Sequence, residues 1–291
     1  MKVRFLGTGA AEGIPAIFCR CELCQLAKKK GGREARSRFQ VLINDDLLVD
    51  FPPDSYMHML GDKLDFSKIE NLLITHSHSD HFYPEDLFMR GLYSSYNMQT
   101  PVLTVHGSGE TVRRLIACDA AFPKGSTSAI PIAQFEGYDV MGRCVEYHEL
   151  NPYDKFRIAG YEVGVVPSVH MEYEPSFVYF ICDGKRSVLV LSDTAVLKEN
   201  AVKFIAENVQ ASDLIVYDCT YGFKEAQEGH MNIFGNVVLK ERLREVGVSN
   251  GKTLHVITHI AHNQGKTHAQ LQKDAGRMGF TVAYDGLELD L

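Results

Sequence analysis

Short apolar runs recur along the chain at 2–6, 39–43, 46–50, 71–75, 102–106, 177–182, 187–192, 213–217 and 254–258. Each is rich in Val, Ile, Leu or Phe and ends in polar or turn residues, the pattern of a β-strand. Asn44-Asp45, between the second and third runs, predicts a hairpin turn. Helical spacing follows at 108–118, which opens with Ser108 and Glu110, and at 195–207, where Val196, Val202, Phe204 and Ile205 are apolar. A further helix is predicted from Met231 to about Arg244. Thr267-His268-Ala269-Gln270 has the form of a capping box before Leu271. Early strands in hairpins, then strands alternating with helices, predict a layered α/β domain. Metal-type residues gather after 71–75, 187–192 and 254–258, at strand ends, where such proteins build their sites.

There is no repeat, low-complexity tract or obvious linker in the 291 residues, so one domain is expected over 1–291. A composition 45% hydrophobic and 23% charged is that of an ordinary globular chain. No apolar run approaches the ~18 residues that cross a bilayer, so no membrane partner is expected. Met1-Lys2-Val3-Arg4-Phe5-Leu6 leads straight into a strand pattern rather than a secretory segment, and a cytoplasmic location is expected. A formal net charge of −7 weakens a nucleic-acid-binding reading, because such affinity rests on neutralising phosphates. The basic run Lys28-Lys29-Lys30-Gly31-Gly32-Arg33 is expected to be a solvated loop. Of seven cysteines, Cys118, Cys144, Cys182 and Cys219 are scattered through apolar stretches and are expected to be small core residues. The other three crowd into six positions, which in a reducing compartment suggests metal rather than disulfides.

The densest chemistry is Thr75-His76-Ser77-His78-Ser79-Asp80-His81, directly after the apolar run Asn71-Leu72-Leu73-Ile74. Alternate residues of an extended segment point the same way, so His76 and His78 can clamp one ion. Asp80 and His81 follow where the chain turns and can face a second. Imidazole and carboxylate together suit zinc, manganese or ferrous iron.

This H-x-H-x-D-H string is a hallmark of the metallo-β-lactamase superfamily, which the chain resembles over residues 1–265. Leu47-Leu48-Val49-Asp50 is similar to that family's strand-end aspartate segment, and Pro167-Ser168-Val169-His170 to the segment of its third histidine. Leu191-Ser192-Asp193-Thr194 is similar to the segment of its bridging aspartate, and Ile257-Thr258-His259 to its last ligand. The resemblance implies a four-layer αββα sandwich with two divalent ions, zinc or manganese. His76, His78 and His170 would hold one ion, Asp80, His81 and His259 the other, and Asp193 would bridge them. Two such ions can share a hydroxide, lower its pKa and clamp the oxygens of a displacement. Aspartate rather than cysteine at 193 disfavours the antibiotic-hydrolysing branch.

Gly7-Thr8-Gly9-Ala10-Ala11-Glu12-Gly13-Ile14-Pro15 leads into Cys19-Arg20-Cys21-Glu22-Leu23-Cys24. Three thiolates at this spacing need a fourth donor to close a structural zinc site. His262, three residues past His259, is available, and the pairing resembles PhnP-like phosphodiesterases; PqqB-like proteins carry a similar cysteine cluster. Asp218-Cys219-Thr220-Tyr221 with Gly229-His230-Met231-Asn232 resembles an element of the phosphodiesterase branch that includes tRNase Z and PhnP. There the histidine is general acid or phosphate ligand and the acid orients it, which would make His230 and Asp218 catalytic here, beside Asp80. The alternative for His230 is a helix cap. His268, at the start of a capped helix, is expected to face solvent, and His255, inside an apolar strand, to be a core residue. His58, His106 and His148 show no partner pattern.

The resemblance thus implies a dinuclear phosphodiesterase for a small phosphodiester, a cyclic phosphate or a nucleotide ester. The alternatives are RNA processing of the tRNase Z kind and a PqqB-like role in cofactor biosynthesis. Residues 171–192 are too few for the arm that grips tRNA in bacterial-type tRNase Z, so tRNA is not an expected partner. The stretch 85–150 is longer than in compact PhnP-like proteins, and is the segment expected to tune substrate choice or to contribute a homodimer contact.

Overall fold

The computed structural model describes residues 1–90, 95–121, 144–227 and 229–291. Two seven-stranded mixed sheets form its centre. The first contains β1 (Lys2–Gly7), β2 (Gln40–Ile43), β3 (Leu47–Val49), β4 (Asn71–Leu73), β5 (Leu103–Gly107), β6 (Val145–Glu149) and β14 (Leu287–Asp290), in the order β14-β1-β2-β3-β4-β5-β6. The second contains β7 (Lys155–Ile158), β8 (Tyr161–Pro167), β9 (Phe177–Cys182), β10 (Ser187–Leu191), β11 (Leu214–Asp218), β12 (Leu254–Thr258) and β13 (Thr281–Val282), in the order β13-β12-β11-β10-β9-β8-β7. Each sheet is antiparallel at one end and parallel at the other: β3, β4, β5 and β6 run together, as do β10, β11, β12 and β13.

The period-2 alternation of the strands builds the layers. Val188 and Val190 join Val3, Phe5, Val41, Val49 and Val216 in one core between the sheets. Their neighbours Leu189 and Leu191 face outward onto helices α4 (Glu199–Asn208), α5 (Ile233–Glu245) and α6 (His268–Gly276). Leu42, Leu48, Leu72 and Val105 do the same on the far side, against α3 (Gly109–Ala121). The result is the αββα sandwich of the metallo-β-lactamase fold.

The Asn44 turn is a hairpin whose Asn44 adopts φ 51°. Both halves of the Thr267–Gln270 capping box are formed. The helix after Met231 starts at Ile233, capped by the Asn232 side chain, which accepts from Gly235 N. The predicted 195–207 helix begins only at Glu199. Two expectations need correction. The lysine run is not a loop: Lys28, Lys29 and Lys30 are the last turn of α1 (Glu22–Lys30), where positive charge meets the unpaired carbonyls of the helix end. His268 faces solvent only in part: it is half-buried, and its Nδ1 lies 3.0 Å from Arg36 Nη2. The helix α2 (Ser55–Gly61) and the strands β6, β7, β8, β13 and β14 are further elements, beyond those the apolar runs predict. Of the expected elaboration at 85–150, a 3₁₀ segment Pro84–Arg90, β5, α3 and β6 are seen. Its remainder, 91–94 and 122–143, lies outside the described residues. No helix among the described residues is long and apolar enough to cross a membrane.

Candidate metal centre

β4, β8, β10, β11 and β12 all deliver their C-terminal ends to one edge of the sandwich. The loop after β4 carries His76, His78, Asp80 and His81, and the loop after β8 carries His170. Asp193 follows β10, Asp218 ends β11 and His259 follows β12. Asp50, Asp193 and His259 have φ of 64°, 52° and 57°, left-handed values that non-glycine residues adopt at a cost of about 1 kcal/mol or more. The turn lets each side chain leave the strand direction and join the cluster.

Two groups of donors result. His76 Nε2 lies 2.9 Å from His78 Nδ1, and His170 Nε2 lies 3.5 Å from the same His78 atom. His81 Nε2 lies 3.3 Å from Asp80 Oδ2 and 3.1 Å from Asp193 Oδ2. His259 Nε2 lies 3.2 Å from Asp193 Oδ2, while the other oxygen, Oδ1, faces His170 Nε2 at 3.9 Å. Asp193 thus presents one oxygen to each group. All seven sequence-predicted donors come together here.

The donor chemistry fits divalent cations. His81 Nε2 and His259 Nε2 are buried yet have no hydrogen-bond partner among the described residues, though both converge on Asp193. Such orphaned donors are costly in a protein unless a cation takes their lone pairs. The charges are coupled across the same atoms. Burial would raise the Asp193 pKa, but His259 and His81 outweigh it and hold it well below the usual range. Burial would lower that of His81, but Asp193, Asp80 and Asp50 push it well above normal. Burial, reinforced by His81, keeps the His76 pKa far below its ordinary value, so this ring is neutral.

The nitrogens that turn away from the cluster are held, as metal-ligating histidines usually are. His81 Nδ1 donates to Asp50 Oδ2 at 2.6 Å, and Asp50 in turn accepts from Thr75 N at 2.8 Å. His259 Nδ1 pairs with Thr220 Oγ1 at 2.8 Å, and His170 Nδ1 donates to Gly229 O at 3.1 Å. Gly229 has φ 84°, and a Cβ there would stand 3.0 Å from His170 Nδ1, so only glycine fits this approach.

His230 stands beside the donors, its ring stacked 5.5 Å from that of His259 and 4.7 Å edge-on from that of His170. Its Nδ1 lies 2.9 Å from Asp218 Oδ2. Asp218 is fully buried, and its Oδ1 accepts from Thr220 N and Met231 N, both at 3.0 Å. Burial disfavours charge on His230, but Asp218 outweighs it and raises the pKa to about 9. The cap of α5 is Asn232, so His230 is not a helix cap.

Cys19, Cys21, Cys24 and His262 form a separate group. His262 Nδ1 lies 3.6 Å from Cys19 Sγ and 3.5 Å from Cys21 Sγ. These separations match the edge of a zinc tetrahedron, roughly 3.6 Å for Zn–S of about 2.3 Å and Zn–N of about 2.0–2.1 Å. The backbone N–H of Cys24 helps draw the Cys21 thiol down to about 6, toward the thiolate that ligation needs. Cys21→Ser is expected to remove about one zinc per chain and roughly 2–3 kcal/mol of stability, since a closed site contributes folding free energy. Elemental analysis and thermal unfolding check this; full zinc content with unchanged unfolding would exclude a structural ion here.

Several residues that shape the site carried no signal in the sequence. Glu174, Arg114 and Tyr179 all bind the loop that carries His76, His78, Asp80 and His81: Tyr179 Oη donates to Ile74 O at 2.6 Å, Arg114 donates to Ser77 O, and Glu174 accepts from Ser77 N. An acid or an arginine far from the motif has no pattern to mark it. The remaining histidines are accounted for as structural. His58 bridges Gln40 Oε1 at 2.7 Å and Ser37 Oγ at 2.6 Å, His106 meets His148 at 3.1 Å, and His255 meets Tyr217 Oη at 2.9 Å.

The family model described as "Anti-Pycsar protein Apyc1" matches residues 39–249. Among curated proteins, the chain is 31% identical to an octanoyltransferase of Porphyromonas gingivalis over 85 residues, 28% of this chain and 16% of that protein. It is 27% identical to coenzyme PQQ synthesis protein B of Methylobacterium radiotolerans over 157 residues, 45% of this chain and 52% of that protein. The chain therefore spans only a minor part of the first and about half of the second. Among solved structures, it is similar to a diphosphatase of the PhnP family, with TM-score 0.71 and 20% identity over 100% of this chain and 97% of that one. Zinc-bound PqqB of Methylobacterium extorquens follows, with TM-score 0.70 and 17% identity over 100% of both chains. The short form of human tRNase Z is similar at TM-score 0.65 and 18% identity, over 100% of this chain and 99% of that one.

Proposed function

From its membership of the family described as anti-Pycsar protein Apyc1, and from the site above, we propose that the chain is a dinuclear phosphodiesterase acting on a small phosphodiester, a cyclic phosphate or a nucleotide ester. His76, His78 and His170 would hold one ion, Asp80, His81 and His259 the other, and Asp193 would contribute to both; zinc and manganese suit this donor set. Cys19, Cys21, Cys24 and His262 would hold a third ion, a structural zinc.

The observation that carries the reading is the Asp218–His230 pair, set against the ligands His170 and His259. A generic metallohydrolase needs no such pair; a phosphodiester with an alkoxide leaving group does, because the departing oxygen must receive a proton. Two divalent ions, when bound, activate water near neutral pH and offset charge on the phosphoryl oxygens. The chain's own residues do the rest. Asp218 fixes the Nδ1 side of His230, which leaves Nε2 as the nitrogen that exchanges a proton with the leaving group. Thr220 links Asp218, His230 and His259 through one hydroxyl, so proton donor and metal ligand share a support.

The test is a substrate screen on metal-loaded protein, with cyclic and linear phosphodiesters set against lactones and thioesters. Phosphodiesters are expected to turn over, with activity lost to a chelator and restored by Zn²⁺ or Mn²⁺. Turnover of lactones or thioesters alone would overturn the phosphodiester assignment, and no turnover of any class by protein holding both ions would favour the PqqB-like alternative.

A further inference from the structure

The three-histidine half of the centre is assembled from two loops that belong to different sheets. His76 and His78 lie on the loop after β4, and His170 on the loop between β8 and β9. Nothing in the backbone ladders of either sheet sets the distance between these loops. Ser77, between the two histidines, is instead held on all three of its polar groups. Glu174 Oε1 accepts from Ser77 N at 2.8 Å, Glu174 Oε2 accepts from Ser77 Oγ at 2.6 Å, and Arg114 of α3 donates to Ser77 O. Glu174 lies four residues after His170, in the same loop, and is 6% exposed. That loop is itself closed at its neck, where Ser168 N donates to Ser176 O at 2.9 Å and the two hydroxyls meet at 2.6 Å. Phe177 N donates to Thr75 O at 2.8 Å, fixing the same loop to the start of the ligand segment. Tyr173, beside Glu174, brings its hydroxyl within 3.2 Å of His78 Nε2, the nitrogen that faces away from the donor cluster.

We infer that Glu174 is a positioning residue that sets the separation of His170 from His76 and His78, and with it the affinity of the three-histidine site for its ion. The inference rests on the ligand assignment proposed above. Glu174 is not a ligand or a proton carrier, because both its oxygens are occupied by Ser77 and it belongs to none of the converging donor groups. Its contacts fall at Ser77, between the two histidines of one half of the centre. His81 and His259, in the other half, are held by Asp50 and Thr220, which Glu174 does not touch.

The role predicts which substitutions are tolerated. Glutamine can keep both contacts, its carbonyl accepting from Ser77 N and its amide donating to Ser77 Oγ, so shape and hydrogen bonding survive without the charge. Alanine keeps neither. Chelator-stripped protein would be titrated with Co²⁺ and followed by its absorption spectrum, where thiolate-bound cobalt is distinguished from cobalt bound by imidazole and carboxylate. Glu174→Ala is expected to weaken one of the two imidazole-carboxylate equivalents by about 10–100-fold, the usual cost of losing an outer support of a ligand. The other equivalent and the thiolate signal should stay as in wild type. Glu174→Gln should bind both equivalents within a few-fold of wild type, and Ser77→Ala, which loses only the hydroxyl arm, should fall between. Two wild-type-like equivalents in Glu174→Ala would overturn the inference, as would a Gln variant as impaired as Ala, which would mean that the charge itself matters. Should the Ala variant misfold, the Gln and Ser77→Ala pair still decides: equal, wild-type-like binding in both overturns the inference. His170→Ala separates the two levels. It should lose one equivalent outright, and if it keeps both, the ligand assignment falls and the role of Glu174 falls with it.

Discussion

Asp193→Ala is expected to cut turnover by more than about 10⁴-fold, because activation of water by the paired ions is the main source of rate at such a site. Among the described residues, Asp193 is the one side chain that offers an oxygen to each donor group, Oδ2 to His81 and His259 and Oδ1 toward His170. Its loss leaves neither group complete. The fold should survive. Asp193 closes no backbone ladder, and what its removal takes away is the attraction of its carboxylate to His259 and His81, a loss between side chains and not within the sheets. The left-handed φ of 52° is a modest cost for alanine, about 1 kcal/mol. Circular dichroism should therefore match wild type, the zinc bound by the cysteine cluster should remain, and metal content should fall by up to two equivalents. The loss should be equally deep for substrates with good and poor leaving groups, since the nucleophile is affected in both. Retention of both ions together with a tenth or more of wild-type turnover would remove Asp193 from its bridging place.

His230→Ala should behave differently. For a phosphodiester with an alkoxide leaving group, turnover is expected to drop by about 10²–10⁴-fold, the usual contribution of general acid catalysis. For a nitrophenyl ester, whose leaving group is stable as an anion, the loss should be much smaller. Asp218→Asn should reproduce part of the first effect, because the amide would misorient an imidazole now held at 2.9 Å. Metal content should not change in either variant. Equal losses on both esters would assign His230 to binding phosphoryl oxygens instead of giving a proton. No loss on either would detach the pair from the reaction and return lactones and thioesters to the field. Set beside Asp193→Ala, the leaving-group dependence separates a failure of proton donation from a failure of the metal centre.

Much of the architecture was visible in the chain because strands buried on both faces leave continuous apolar runs. Asn71–Leu73, Ser187–Leu191 and Leu214–Asp218 have this character, and the first two are followed by candidate ligands. Two of the strands not predicted have another pattern. β6 and β7 stand at the edges of the two sheets and alternate charged with apolar residues over four or five positions, as in Lys155-Phe156-Arg157-Ile158. Helix α1 was hidden by its own composition, since a lysine run reads as solvent-facing and its buried face is only Leu23, Cys24 and Ala27.

The sequence by itself picked out the candidate donor set. His76, His78, Asp80 and His81 lie within one short loop, so their convergence is local and needs only an extended segment followed by a turn. The family order of His170, Asp193 and His259 could be read in the same way, as could the cysteine cluster. What the tertiary structure alone decided is how these groups are held. The Asp50–His81 bond spans 31 residues, the Glu174–Ser77 bonds span 97, and Gly229 meets His170 across 59. None of these contacts has a spacing or a residue pattern of its own, because each depends on two strands from distant parts of the chain ending at the same edge of the sandwich. Ligand chemistry is a property of residue type and neighbours, whereas the orientation of each ligand is a property of the packed sheets.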